Sequence, residues 1–202
     1  MSGAVATSGG VVDLHEADLL AKAQGGNLFA FEEIVRRYQR RVYGTALRIV
    51  RRHDVADDVA QEAFVRAYRA LASFDRGRPF GPWICRIAAN LAINHLRSPE
   101  SREQELPETH ASTPSTVGPL DTLLHGEAQQ VLDRALSELP AEQRAVFVLR
   151  VVEELSYKEI ADALGIAMGT VMSRLARARE RLRETLRPYL TGSARRAEGG
   201  EG

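Results

Sequence analysis

SYKEIADALGIAMGTVMSRLARARERL, Ser156 to Leu182, holds the pattern that decides the fold. Ser156 followed three residues later by Glu159 marks a helix start, because each side chain can bond the other residue's backbone N–H. Gly165 closes that helix, since glycine enters the left-handed region without a Cβ clash. A second helix begins within a few residues. Ile160, Leu164 and Ile166 before the turn and Val171 and Leu175 after it supply an apolar interior. Helix, tight glycine turn, helix is a helix-turn-helix pattern.

Winding the second helix at about 100° per residue puts Met168, Val171, Leu175, Ala178 and Leu182 on one stripe. The opposite side presents Gly169, Thr170, Ser173, Ala176, Arg177 and Glu180, with Met172 and Arg174 at its margins. Small residues there permit close approach to base edges, and arginines beside them meet phosphates. A solvated face balanced by Glu180 and Glu184 is the alternative for the arginines alone; the capped helix and turn ahead of them favour DNA.

Outward from this unit, the AEQRAVFVLRVVEE stretch after Pro140 predicts a short helix, and about Asp121–Leu139 is amphipathic. Between residues 98 and 119 the chain carries Pro99, Pro107, Pro114, Gly118 and Pro119 among Ser, Thr and Glu, with no apolar period, and reads as an interdomain linker. Ahead of it four helices are expected. Val12–Gln24 stops at Gly25-Gly26, and Asn27 caps a helix to about Val50 with Phe31, Ile34, Val35, Tyr38, Val42, Ala46 and Ile49 on one stripe. Asp54 is expected to cap a third helix running to about Ser73, with Asp57 and Asp58 in its first turn, where the dipole favours negative charge. DRGRPFGPW interrupts the helical pattern as a loop, and a fourth helix carries Ile84, Ile87, Ala88 and Leu91 on one side.

The third helix gathers Val55, Val59, Ala63, Ala67 and Ala70 toward one side and leaves Asp58, Gln61, Glu62, Arg69 and Val65 on the other. Val65 amid Gln61 and Glu62 suggests a protein-binding face. Dipole complementation alone, or a Mg²⁺ site at Asp57, Asp58 and Glu62 of a helical nucleotide hydrolase, are the other readings. Phe74, Phe80 and Trp83 bracket the basic loop, where arginines and aromatic faces can hold unstacked bases; that Trp83 and Phe80 plug the helix junction is the structural alternative. Cys85 reads as a small hydrophobe.

The formal net charge of zero hides a division along the 202-residue chain. Residues 1–97 hold 14 Lys/Arg against 10 Asp/Glu, residues 98–140 hold 2 against 8, and residues 141–190 hold 9 against 7. Two basic blocks around an acidic middle suggest a polyanion partner, with the middle avoiding or imitating it. One cysteine excludes an internal disulfide, and five scattered histidines without ligand spacing argue against zinc. No cofactor is expected. The lack of a long apolar run or of signal-peptide character predicts a cytoplasmic protein without membrane insertion.

Taken in order, FEEIVRRYQRRVYGTALRIV, DVADDVAQEAFVRAYRALASFDRGRPFGPWICRIAANLAINHLR and LSELPAEQRAVFVLRVVEELSYKEIADALGIAMGTVMSRLARARERL closely resemble the two modules of bacterial extracytoplasmic-function sigma factors, small alternative subunits of RNA polymerase. The resemblance implies an all-α protein of two small helical domains joined by a flexible acidic linker. Its boundaries are a disordered N-terminus at 1–11, a region 2 domain at 12–98, the linker at 99–120, a region 4 domain at 121–190 and a disordered tail at 191–202. It implies that Asp57, Asp58, Gln61, Glu62 and Val65 dock on the β′ clamp helices of core RNA polymerase, the β flap being a second contact. Phe74, Asp75, Arg76, Gly77, Arg78, Phe80 and Trp83 would capture a minus-ten base, with Asn90, Asn94 and Arg97 near the adjoining duplex. Thr170, Met172, Ser173, Arg174, Ala176 and Arg177, joined by Arg150, would read the minus-thirty-five element of promoter DNA. An anti-sigma factor is the implied regulator. A free-standing helix-turn-helix regulator is the rival reading. Ala167-Met168, Met172, Ala176 and Cys85 depart from common family residues, the first by removing a preset φ at the start of a helix.

Overall fold

The structure is a computed structural model describing residues 14–98 and 131–198. Helices account for its regular structure in the order α1 (Leu14–Gln24), α2 (Leu28–Val50), α3 (His53–Ala70), α4 (Phe80–Arg97), α5 (131–137), α6 (Ala141–Phe147), α7 (Tyr157–Leu164) and α8 (Met168–Glu198). A 3₁₀ turn, Leu71–Ser73, finishes α3, and a π-helical turn, Val148–Val152, continues α6. The expected linker and the N-terminal segment lie outside the described residues, as do residues 121–130 of the amphipathic stretch.

Local chemistry sets most helix ends. Asn27 accepts from the Ala30 N–H at 3.0 Å and starts α2, which ends at Arg51 in the left-handed region with φ 64°. The α3 start differs from expectation: Arg52 is the N-cap, and Asp54 sits inside the first turn, bonded to the Arg52 guanidinium. Because the helix starts at His53, Asp57 and Asp58 fall in its second turn rather than its first. The DRGRPFGPW loop is also shorter than expected. Phe80 to Trp83 belong to α4, whose N-cap is Pro79, because Pro82 in the first turn forfeits only an N–H that a helix start leaves unpaired.

The stripes of α2, α3 and α4 pack as one bundle, burying Ile34, Val42, Ala46 and Ile49 against Val55, Val59, Ala63 and Ala67 and against Ile84, Ala88, Ala89 and Ala92. That cluster continues without a break into Ala145, Val148, Leu149, Ile160, Leu164, Val171 and Leu175 of the second unit. A smaller cluster joins Ala135, Leu136 and Leu139 to Ala178 and Leu182 of α8. Met168, assigned to the apolar stripe, is half exposed, since it opens α8 ahead of the turn where the helix meets the core. The helix then runs through Pro188 to Glu198, past the limit of 190 expected for the second domain and into the segment expected to be frayed.

Candidate polymerase and nucleic-acid interfaces

The helix-turn-helix forms as its residues dictate. The Ser156 hydroxyl accepts from the Glu159 N–H at 3.3 Å, while the Glu159 carboxylate accepts from the Ser156 N–H at 2.9 Å and from its hydroxyl at 2.6 Å. Those hydrogen bonds hold the Glu159 carboxyl below the usual carboxylate range. Gly165 has φ 61° and ψ 39°, and the Ile166 N–H returns to the Ala161 carbonyl at 3.1 Å, which turns the chain sharply into α8. Val171, Leu175, Ala178 and Leu182 then face inward. Gly169, Met172, Ser173, Ala176 and Arg177 face outward, with Thr170 half-buried beside them. No side chain crowds the start of this face, for a Cβ at Gly169 would meet nothing within 4 Å.

Two members of this group are engaged within the chain. The Arg174 guanidinium is largely covered and pairs with Glu142 of α6. Arg150, in the π-helical turn, donates to the Leu155 carbonyl at 3.3 Å and lies over the Tyr157 ring at 5.6 Å, so it braces the turn leading into α7.

The loop between α3 and α4 is a tight basic projection over an aromatic floor. Asp75 accepts from the Gly77 N–H at 2.9 Å, and the Arg78 N–H reaches the Asp75 carbonyl at 3.0 Å. Asp75, Arg76, Gly77 and Arg78 are all exposed. Phe74 and Phe80, named as base-capturing rings, are instead enclosed, Phe80 completely. They lie 5.5 Å apart, each against Trp83 at 4.7 and 5.3 Å, and Phe80 also meets Tyr38 at 5.2 Å. The junction-plug reading, made for Trp83 and Phe80, describes Phe80, and Phe74 is enclosed beside it, because sealing the α2–α4 seam buries more apolar area than a solvent-facing loop ring can. Trp83 stays half-buried, and Asn90, Asn94 and Arg97 form an exposed row on α4.

Sequence reasoning passed over the anchors of this loop. Glu16 accepts from the Phe80 N–H at 3.3 Å and from the Tyr38 hydroxyl at 2.6 Å, tying α1 to the start of α4. Burial, followed by this bond to Glu16, pushes the Tyr38 phenol pKa up. Gln24 donates to the Leu71 and Phe74 carbonyls at 2.9 and 2.8 Å and fixes the other end. Neither residue belongs to a periodic motif, so only the tertiary placement of α1 reveals them.

On α3, Asp57, Asp58, Gln61 and Val65 are exposed, and Glu62 is half-exposed with Arg66 bonded to it at 2.7 Å. This face runs into an open apolar groove lined by Leu28, Phe31, Phe64, Val65, Tyr68 and Arg69, and Phe29, next to Leu28 in the chain, is exposed. Leu28 and Phe29 also escaped the sequence reading. Among the described residues no three His, Cys, Asp or Glu side chains, Asp57, Asp58 and Glu62 included, come close enough together to hold a metal ion. Among the same residues no helix is long and apolar enough to cross a membrane.

Comparison with known proteins agrees with this arrangement. The Sigma-70 region 2 family model matches residues 34–103, and that of Sigma-70, region 4 matches residues 129–182. The chain is 36% identical over 184 residues to RNA polymerase sigma-H factor of Pseudomonas aeruginosa, covering 87% of this chain and 95% of the relative. It is 38% identical over 181 residues to ECF RNA polymerase sigma-E factor of Escherichia coli strain K12, covering 85% and 94%. Among solved structures, CnrH in complex with the cytosolic domain of CnrY is 28% identical with a TM-score of 0.56, covering 86% of this chain and 97% of that one. The sigma factor RpoE with the anti-sigma factor NepR from Bartonella quintana is 28% identical with a TM-score of 0.61, covering 78% and 96%. With both family regions matched in order and two relatives aligned over nearly their whole length, the chain belongs to the extracytoplasmic-function sigma factors of the sigma-70 family, the subunits that direct RNA polymerase to promoters.

Proposed function

We propose that α3 docks this sigma factor on core RNA polymerase through Asp57, Asp58, Gln61, Glu62 and Val65, and that the adjoining groove at Leu28, Phe31 and Tyr68 extends that contact. The exposed turn Asp75–Arg78 and Trp83 engage the minus-ten element, while Phe74 and Phe80 hold the turn from below. Asn90, Asn94 and Arg97 lie along the adjoining duplex. The outward face of α8, from Thr170 through Met172, Ser173, Arg174 and Ala176 to Arg177, enters the major groove, with Arg150 bracing it. The two domains span 12–98 and 121–190, with 99–120 between them. The protein works in the cytoplasm, inserts in no membrane and catalyses no reaction itself.

The observation that carries this reading is a low-profile, arginine-flanked helix start on α8 in one chain with an exposed acidic and apolar face on α3. A DNA-only regulator needs the first of these and has no use for the second. The sigma factor RpoE, solved with the anti-sigma factor NepR, supports control of this chain by an anti-sigma factor. The deciding experiment is run-off transcription with purified core polymerase and promoter fragments from the source genome. Discrete transcripts that require this protein are the expected result; tight sequence-specific DNA binding without core-dependent initiation would replace this reading with the free-standing regulator.

A further inference from the structure

The exposed turn Asp75–Arg78 braces itself but does not set its own direction. Asp75 takes the Gly77 N–H on its carboxylate at 2.9 Å and the Arg78 N–H on its carbonyl at 3.0 Å, bonds that begin and end inside the turn. Direction comes from the two stems, residues 71–74 before the turn and 79–80 after it, and α1 holds both.

On the first stem the Gln24 amide donates to the Leu71 and Phe74 carbonyls at 2.9 and 2.8 Å, so both of its N–H groups are used on backbone. The second stem has a different need. Phe80 opens α4, and its N–H is one of the four that a helix start leaves without a partner in the helix. Its N-cap, Pro79, has no side-chain acceptor to offer. The acceptor arrives from α1: one Glu16 oxygen takes the Phe80 N–H at 3.3 Å, at the helix end where the dipole favours negative charge. The other oxygen takes the hydroxyl of Tyr38, whose ring packs on Phe80 at 5.2 Å, so one carboxylate fixes both the stem and the floor beneath it.

Glu16 and Gln24 stand eight residues apart, about 12 Å along the axis of α1. Leu20 midway between them is fully buried and Ala23 nearly so, which pins α1 to the bundle and makes it a bar of fixed length between the stems. Both anchors are half-buried and bonded inward.

We propose that Glu16 and Gln24 are positioning residues for minus-ten specificity, holding the Asp75–Arg78 turn and Trp83 in the one orientation that accepts the right base. The inference rests on the reading of this turn as the minus-ten contact. On loose stems the turn would keep its arginines and their attraction for phosphate, but it would shift to suit other bases. Fixed stems remove that freedom before DNA arrives, so the right base requires no ordering of the loop and a wrong one meets misplaced partners.

The test uses the full chain with purified core polymerase and run-off templates carrying every single-base substitution of the minus-ten element. The readout is the ratio of yields between the best and the worst template. Glu16→Ala and Gln24→Met are each expected to lower that ratio about tenfold, the order of discrimination at one base pair, with affinity for core polymerase unchanged. Glu16→Gln keeps an acceptor for the Phe80 N–H and is expected to retain most of the ratio. Ile93→Val loosens the buried core about 20 Å along α4 from Phe80 and is expected to leave the ratio intact. A uniform loss of yield at constant ratio, or an equal fall for Ile93→Val, would overturn the proposal by showing that the anchors only stabilise the fold. If circular dichroism shows that Glu16→Ala has lost helix, Gln24→Met tests the other stem, and an unchanged ratio there overturns it too. Arg76→Ala, within the turn, separates the two readings. A ratio altered by Arg76→Ala but not by the anchors removes the positioning role alone; a ratio that Arg76→Ala also leaves unchanged removes the turn from the minus-ten contact, and the positioning role with it.

Discussion

Glu159 shows how much one residue contributes when its partners lie within a single helical turn. Its carboxylate and the Ser156 hydroxyl satisfy N–H groups that the start of α7 would otherwise leave unpaired. Glu159→Ala is expected to cost about 1 kcal/mol at neutral pH, measured by urea unfolding. Because the folded carboxyl is held below its unfolded value, the ionic part of this stabilisation is present above about pH 4.3 and is lost as the pH falls through the folded value. The gap between wild type and variant should therefore narrow on acidification; a constant gap would show that the charge contributes nothing. Phe80 and Arg76 offer a second contrast across one loop. Phe80→Ala empties the aromatic floor and should cost about 3–5 kcal/mol. Arg76→Ala should leave stability within about 0.5 kcal/mol while lowering permanganate reactivity of the melted minus-ten region. Equal destabilisation by both would mean that the loop is structural throughout.

Among the helices, α3 and α8 each bury one stripe and keep the other for a partner. On α3 the alanines and valines that face the bundle leave Asp58 and Gln61 outside, where substitution disturbs no packing. Asp58→Arg combined with Gln61→Arg should abolish co-purification with core polymerase while changing stability by less than about 1 kcal/mol. Retained co-purification would place the docking surface elsewhere, with the Leu28–Phe31 groove next in line. On α8, Arg177 projects outward beyond the inward Leu175 and Ala178. Arg177→Ala should weaken transcription that depends on the minus-thirty-five element and reduce the magnitude of the log–log salt slope by about 1, as removal of one phosphate contact does. An unchanged yield across salt concentrations would remove Arg177 from the interface.

For the whole molecule, the continuous core between the two units means that stability and domain separation are coupled. Arg144→Met keeps most of the volume but leaves the Ile49 carbonyl without its guanidinium donor. A loss of about 2 kcal/mol, lowering Tm by about 4–8 °C in the full chain, is expected from calorimetry. Burial, then the nearby Arg51, already lowers the Arg144 guanidinium to about 10, which places this charge in a costly position. A Tm unchanged by the substitution would show that the buried charge offsets its own hydrogen bonds. By itself, the sequence determined the all-helical class, the capping box at Ser156, the turn at Gly165, the inward stripes of α2, α3 and α8 and the family. Each of these depends on residues a few positions apart, whose spacing matches a helical repeat or a turn geometry. Tertiary structure alone decided that Phe74 and Phe80 form a floor, that Glu16 and Gln24 anchor the basic turn, and that Glu153 meets Arg41 and Thr45 across more than a hundred residues. A lone charge has no periodicity, and its partner is selected only when packing brings two distant helices together and removes the water between them.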